Sequence, residues 1–511
     1  MTDHSAHTRR IAKNTLMLYI RMFFMMLLGL FTSRIVLEAL GENDYGIYNV
    51  VGGVVAMFTV ISGALSTAVT RFITYEMGKG ESAQLTKVYS TSVNVQIILA
   101  LIVVILAEPI GLWFIDNKMT ISPDRIPAAQ MVMHFSLLAF VINLMSVPQM
   151  ASITAHEQMS AYAYIGVLDG SLRFLVALMI SRSNADRLVF YAVLMAAVVF
   201  IIRLSYGVYC RIHFPECRYR LVFDRALIRE MFSFAGWNFI GVSSGVLRDQ
   251  GGNILVNMFS GPSVNAARGV AVQLNGAIQS FVTNFMTAVN PQITKSYASG
   301  DHDYMFSLMR KASRMSFYLL FVLALPVLFN TEWLMSLWLK DVPDHSVLFV
   351  RLFLIFTLSE SISQPLITAM FATGNIRNYQ LVVGGLQLLN LPVSYILLKM
   401  GAMPEVTVMV AIAFSQFSLV ARLMMLKKMI GLSIRNFMVR VYLNVVAVTM
   451  VALLLPSAAC VLCSASPAAV ASSIVVSLLS AVLSIFFVGC SRSERQEMVC
   501  FIKNRSGWRK A

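Results

Sequence analysis

The stretch RIVLEALGENDYGIYNV, residues 34–50, has a weak copy in ILVNMFSGPSVNAARGV, residues 254–270. The two align without gaps when the chain is shifted against itself by 220 residues. The matched pairs are Val36 with Val256, Gly41 with Gly261, Val50 with Val270 and, farther on, Gly80 with Gly300. Because self-similarity at a fixed distance indicates a repeated architecture, the sequence predicts two related halves.

A shift of 217 residues extends the match into the later helices. It pairs Pro109 with Pro326, Pro148 with Pro365 and Tyr162 with Tyr379. Both shifts pair spans that lie six crossings apart, so the halves face the same way and form parallel repeats with a cleft expected between them. The paired prolines are expected to break their helices. The predicted domains are residues 1–215, residues 216–430, and an appended helix pair with a basic tail at 431–511.

The composition is that of a membrane protein. The 511 residues are 58% hydrophobic and 13% charged, against about 25% charged for a soluble domain. Apolar runs of roughly 20 residues, enough to cross the hydrocarbon core, recur along the chain. We predict an all-α polytopic fold with about fourteen spans. They lie near 14–37, 46–70, 88–113, 128–150, 158–180, 188–210, 230–257, 267–290, 313–337, 347–371, 378–398, 404–426, 438–460 and 467–490.

The net charge of +15 is explained by topology rather than by nucleic-acid binding. With a cytoplasmic N-terminus, 27 of the 40 Lys and Arg residues fall in cytoplasmic segments, 8 in external loops and 5 inside spans. This distribution follows the positive-inside rule. It predicts that both termini are cytoplasmic, and it also allows contact with anionic lipid headgroups, for example by Arg211, Arg218, Arg220, Arg225 and Arg229.

Charged residues inside spans are candidates for function, because a charge at the bilayer centre costs at least about 2.5 to 3.5 kcal/mol unless it faces a cavity or a partner. The five interior cations are Arg21, Arg173, Arg203, Arg248 and Arg351. We favour a cavity position for Arg21, with snorkelling to the headgroups as the alternative. Arg248 stands in GVSSGVLRDQGGNILVN, residues 241–257, the most polar stretch inside any predicted span; the alternative there is a small-residue packing face.

The remaining interior charges have simpler interpretations. Asp169 and Arg173 are four residues apart and are expected to pair on one helix face. Arg203 and Arg351 lie close enough to a headgroup region to snorkel. Glu360 and Asp249 are candidates for coupling to protons or ions, and His134 is a weaker one.

The sequence predicts neither an enzyme nor a metal site. It lacks a Walker A loop, an HExxH motif and a GxSxG elbow. Cys460 and Cys463 have CxxC spacing, but no second pair or nearby His completes a ligand set. The longest predicted external segment is also short, at residues 114–127. No cofactor is expected.

Two stretches of sequence resemble the multidrug/oligosaccharidyl-lipid/polysaccharide (MOP) flippase superfamily. They are SRIVLEALGENDYGIYNVVGG, residues 33–53, and its counterpart GNILVNMFSGPSVNAARGVA, residues 252–271. Within this superfamily they look most like the O-antigen and capsule flippase branch (Wzx type). The resemblance implies a V-shaped, MATE-like transporter of the bacterial inner membrane. Its substrate would be a polyprenyl-pyrophosphate-linked oligosaccharide, moved by alternating access. Its partners would be membrane lipids, Na⁺ or H⁺, and polysaccharide polymerase and other assembly proteins. Nucleic acid would not be a partner.

The resemblance also implies a set of substrate-binding residues. Arginine forms bidentate charge-assisted bonds to phosphate, which makes Arg21 and Arg248 the first candidates for the pyrophosphate. Because related flippases line the cavity with the first, second, seventh and eighth helices, Arg34, Arg71 and Arg268 are rim candidates. The alternative function is a cation-coupled multidrug or metabolite exporter. Drug exporters commonly use a carboxylate in the first helix, where this chain has only Glu38, near the outer end.

Overall fold

The structure, a computed structural model, describes residues 2–56, 58–80, 82–117, 119, 121–183, 185–338, 342–462, 467–492 and 494–496. The described residues form helices and no strands, as the sequence predicts. The α-helices are α1 (Thr2–Ala56), α2 (Thr59–Lys79), α3 (Ser82–Asn117), α4 (Ile126–Ala155), α5 (Met159–Ser181), α6 (Arg187–His213), α7 (Arg225–Ala298), α8 (His302–Phe329), α9 (Thr331–Trp338), α10 (Ser346–Thr373), α11 (Arg377–Lys399), α12 (Val406–Ile430), α13 (Ile434–Phe437), α14 (Leu443–Leu462) and α15 (Pro467–Ser484).

Eleven helical segments within the described residues are long and apolar enough to cross a membrane. The chain is therefore a multi-pass membrane protein. Among these residues the second, seventh and eighth predicted spans do not meet the same criterion. The second falls in α1 and α2, and the other two form the arms of α7. The number fourteen stays a prediction.

The helices α1 and α7 each bend at one glycine. Gly41 has φ 76° and ψ 168°, and Gly261 has φ 83° and ψ 177°. This backbone region is essentially restricted to glycine, since a Cβ clashes with the neighbouring peptide. The two glycines matched by the 220-residue shift therefore make the same sharp turn, one in α1 and the other in α7.

The expectation that the paired prolines break their helices is wrong. Pro109, Pro148, Pro326 and Pro365 lie inside α3, α4, α8 and α10, which continue through them. Apolar helices tolerate proline where neighbouring side chains or small local adjustments satisfy the freed carbonyl.

The packing divides the chain into two compact units. The first comprises residues 1–243, 287–301 and 374–377, and the second comprises 244–286, 302–373 and 378–511. These are packing units, so the domain boundaries at 215 and 430 stay a prediction.

In the first unit, α5 packs along α1, while α4 packs against α2, α3 and α6. An apolar core joins α1, α5 and α6. Its buried members are Val36, Ala39, Val176, Ala177, Ile180, Tyr191 and Val198. Burial of each large apolar side chain contributes about 1.5 to 3 kcal/mol relative to water, so this core fixes α1, and the arginines on it, against α5.

In the second unit, α10 packs between α8 and α12, and α15 packs against α8 and α14. Polar contacts join the last helices to α8. The Arg314 guanidinium lies 2.5 Å from a Glu494 carboxylate oxygen and donates to the Gly489 carbonyl at 3.0 Å, and the Tyr318 hydroxyl bonds the Asn444 side chain. The appended helix pair is thus part of this unit.

Candidate substrate-binding arginines

Arg21 lies on α1, and its side chain lies against α5. Its guanidinium carbon is 4.5 Å from the centre of the Tyr162 ring, an arrangement suited to a cation–π interaction. A Cβ at Gly166 would overlap the arginine side chain, so the close approach needs glycine there. The buried Nε has no hydrogen-bond partner, and no carboxylate of the described residues forms an ion pair with Arg21. Among the described residues, Arg21 thus faces an aromatic ring rather than a carboxylate.

The other two candidates of the first unit have different environments. Arg34 is exposed on α1, before the bend at Gly41. Arg71 on α2 is buried at 9% exposure, with the Phe72 and Tyr75 rings 4.6 and 4.7 Å from its guanidinium carbon. One Arg71 nitrogen lies 4.0 Å from a carboxylate oxygen of Glu230. Arg71 is thus a largely enclosed cation, and the exposed Glu230 is among its counter-charges.

In the second unit, the bend of α7 brings Arg248 and Arg268 to one cluster. Arg248 Nε lies 2.9 Å from a carboxylate oxygen of Asp249. Arg268, on the other arm, is 4% exposed; it donates to the Asp249 backbone carbonyl at 3.2 Å and to the Asn253 side chain. A Cβ at Gly252 would overlap the Arg268 guanidinium. Gly252 therefore makes room for the second arginine.

Aromatic rings of α10 face this cluster. The Phe356 ring centre is 5.0 Å from the Arg248 guanidinium carbon, and the Phe353 ring centre is 5.4 Å from that of Arg268. Two arginines and one aspartate leave a net positive charge beside an apolar wall. Such an arrangement can bind an anion through charge-assisted hydrogen bonds.

Glu360 is not isolated. Its carboxylate lies 3.6 Å from Arg422 Nη1 on α12, and the Arg422 residue is only 1% exposed. Beside them, the Ser359 and Ser415 hydroxyls are 2.7 Å apart, and the Tyr442 hydroxyl donates to Gln416 at 3.1 Å. A role for Glu360 in ion coupling stays a prediction, but its charge is already matched by a buried arginine.

The remaining interior charges have local partners. The Asp169–Arg173 pair is confirmed, with Arg173 Nε 2.8 Å from the carboxylate. His134 lies 2.5 Å from Glu108, and Arg351 lies 3.8 Å from Glu332 and donates to Thr331. Two predicted features lie outside the described residues: the side chains of the Cys460–Cys463 pair, and the basic tail.

Arg422 and Glu157 are among the buried charged groups that the sequence reasoning missed. Arg422 falls near the end of a predicted span, where basic residues are common, and nothing in the sequence marks its burial. Glu157 follows α4, and its carboxylate accepts from Lys295 Nζ at 2.7 Å and from Gln292 at 2.6 Å. Its 2% exposed side chain also lies 3.4 Å from Arg10. The partners are more than 100 residues apart in the sequence, so no local pattern could reveal them.

Solved transporter structures share this fold. A MATE protein in complex with MaD3S has a TM-score of 0.73 at 12% identity, over 83% of this chain and 97% of that one. An outward-facing multidrug resistance MATE family transporter of the MOP superfamily has a TM-score of 0.71 at 11% identity, over 83% and 97%. The MATE transporter ClbM in complex with Rb⁺ has a TM-score of 0.69 at 15% identity, over 84% and 96%.

The fold is that of a polytopic membrane protein and is shared with these MATE transporters. Residues 11–297, more than half of the chain, match the model of the family described as polysaccharide biosynthesis protein. The chain belongs to that family. None of the curated proteins matches it.

Proposed function

We propose that the protein is a flippase that moves a polyprenyl-pyrophosphate-linked oligosaccharide, an O-antigen, capsule or exopolysaccharide repeat unit, across the bacterial inner membrane by alternating access. The termini are cytoplasmic in this proposal, and the protein has no enzymatic activity of its own. Membership of the polysaccharide biosynthesis family supports this substrate class.

The observation that carries the proposal is the convergence of Arg248 and Arg268 on Asp249 within the bent α7. A pyrophosphate is a compact anion, and guanidinium groups recognise phosphate oxygens by paired hydrogen bonds. The cluster keeps a net positive charge after Asp249 is counted. A cation-binding site would need the opposite balance.

Arg21, Arg34 and Arg71 extend the proposed substrate contacts to the first unit. Arg21 is the foremost of these, because its guanidinium lies over the Tyr162 ring and no carboxylate of the described residues forms an ion pair with it. We infer that it meets the headgroup during part of the transport cycle, while the polyprenyl chain stays in the lipid.

The proposal is tested by Arg248→Ala, Arg268→Ala and Arg21→Ala in a host that needs the protein for its surface polysaccharide. Each hydrogen bond to a charged group contributes about 1.5 to 3 kcal/mol, so each change should lower substrate affinity roughly tenfold to a hundredfold. Surface polysaccharide should fall strongly in each variant, with the protein still present in the membrane at its normal level.

Arg351→Ala is the matched control, since this half-buried arginine lies at the start of α10 and faces the exposed Glu332. It should leave polysaccharide unchanged. Normal polysaccharide in both the Arg248 and Arg268 variants would contradict the assigned site. Loss with the Arg351 control as well would show only a general sensitivity of the fold.

A cation-coupled exporter is the second candidate, favoured by the presence of Asp249 in the cluster and by fold similarity to transporters such as the one solved with Rb⁺. In that case Asp249 or Glu360, and not the arginines, would be indispensable, with Na⁺ or H⁺ as the coupling ion. Resistance to cationic dyes on overexpression would favour it.

A further inference from the structure

The connector between α6 and α7, residues 214–224, is held firmly against α3. The backbone N–H of Arg220 donates to the Ser90 hydroxyl at 3.1 Å, and the Val222 carbonyl accepts from the Asn94 side chain at 2.9 Å. Lys87 Nζ on the same helix lies 2.6 Å from a carboxylate oxygen of Asp224. The connector is therefore a built surface rather than a loose loop.

This surface presents large apolar side chains outside any helix. Leu221 is 90% exposed and Phe223 is 74% exposed. Together with Ile97, Ile98, Val222 and the polar Asn94, they line a shallow apolar groove beside α3. Apolar side chains so placed at the end of membrane helices are suited to the acyl region just below lipid headgroups.

Exposed arginines surround the same segment. They are Arg211, Arg218, Arg220, Arg225 and Arg229. The acidic residues of the segment are already engaged: Glu216 is 3.0 Å from His156, Asp224 pairs with Lys87, and Glu230 faces Arg71. The arginine charges are thus left without a carboxylate among their described neighbours.

We propose that the connector binds anionic phospholipid of the leaflet it faces, with acyl chains against Leu221, Phe223 and Ile97 and the headgroup phosphate at Arg218, Arg220 and Arg225. An excess of exposed positive charge beside exposed apolar side chains complements a negative headgroup above a hydrocarbon chain. The site is independent of the proposed substrate site, because it shares no residue with it. It requires only that the connector lie at a membrane surface.

The test uses the full-length chain with its native cysteines replaced by alanine and a single Leu221→Cys carrying an NBD fluorophore. The protein is placed in lipid nanodiscs, which leave both faces open to water. The rate of dithionite reduction of the label is compared between phosphatidylcholine and a mixture with about one third phosphatidylglycerol. We expect reduction to be several-fold slower in the anionic discs.

Two variants make the result specific. Arg218→Gln/Arg220→Gln/Arg225→Gln should abolish the difference between the lipids, because each arginine near an anionic surface contributes about fivefold to partitioning. Met403 is 68% exposed in the connection between α11 and α12. The same label at Met403→Cys should be reduced at the same rate in both lipids. Equal reduction rates at Leu221 in the two lipids, fast or slow, would overturn the proposal, as would a difference that survives the triple change.

Discussion

Gly41 and Gly261 have the same backbone conformation, within 10° in both φ and ψ, although they lie in different units of the molecule. Each marks the kink in one long helical segment. In the second unit the bend at Gly261 has a further consequence. It places Arg268 on one arm of α7 beside Asp249 and Asn253 on the other. The proposed anion site thus depends on the bend at Gly261.

Alanine at either bend should destabilise the protein. Neither Gly41→Ala nor Gly261→Ala meets a steric obstacle beyond its own backbone, so the cost is that of the disfavoured φ and ψ, about 1 to 3 kcal/mol. Thermal unfolding of the purified protein in detergent measures it. The controls are Gly46→Ala and Gly269→Ala, which lie in helix with open space around them and should be neutral or slightly stabilising. A Gly261→Ala variant as stable as its control would refute the argument.

Asp249→Asn separates the two candidate functions. If the α7 cluster binds pyrophosphate, removal of the aspartate charge raises the positive charge near the anion, so polysaccharide export should persist. If the cluster binds a coupling cation, the same change should abolish transport. Export is measured as surface polysaccharide in a dependent host, with Arg248→Ala as the comparison. Loss of export with Asp249→Asn together with normal export with Arg248→Ala would reverse the proposed assignment.

Removal of one member of the Glu360–Arg422 ion pair should destabilise the protein. Arg422→Met leaves a partly buried carboxylate without its counter-charge, and removal of one member of a buried pair typically costs about 3 to 5 kcal/mol. Arg422→Met/Glu360→Gln should recover part of that loss, because no unpaired charge remains. Thermal unfolding in detergent provides the measurement.

The more exposed pair Arg351–Glu332 serves as the control for that cycle. Arg351→Met should cost less than about 1 kcal/mol, as is usual for exposed ion pairs. If the double change at 360 and 422 is no more stable than Arg422→Met alone, the pair does not act as a unit.

The connector gives a pH prediction. Burial tends to raise the pKa of the Glu216 carboxyl, but the hydrogen bonds from His156 and from the backbone outweigh it and hold that pKa below its ordinary value of 4.5. An acid with a depressed folded pKa contributes stability that is fully present above the unfolded pKa and is lost as the pH falls through the folded one. The unfolding temperature of the wild type should therefore exceed that of Glu216→Gln near pH 6, and the gap should close as the pH falls below 4.5. A difference in unfolding temperature that widens as the pH falls would contradict this prediction.

The sequence by itself determined the helical, membrane-spanning class. Hydropathy is a local property of about 20 consecutive residues, and it marks most spans without knowledge of their neighbours. The match of Gly41 with Gly261 was also visible in the sequence. Both positions hold glycine because only glycine tolerates that backbone conformation. The Asp169–Arg173 pair followed from the four-residue spacing of a helix.

Only the tertiary structure decided which charges meet. The sequence showed Glu360 as a lone acid, yet its partner Arg422 is 62 residues away on another helix. Arg268 and Arg34 were predicted alike as rim candidates. The bend of α7 buries Arg268 beside Asp249, whereas Arg34 on α1 is exposed. The physical reason is that a buried ion pair depends on how helices pack and rotate against each other, and that packing is set by contacts between residues far apart in the chain.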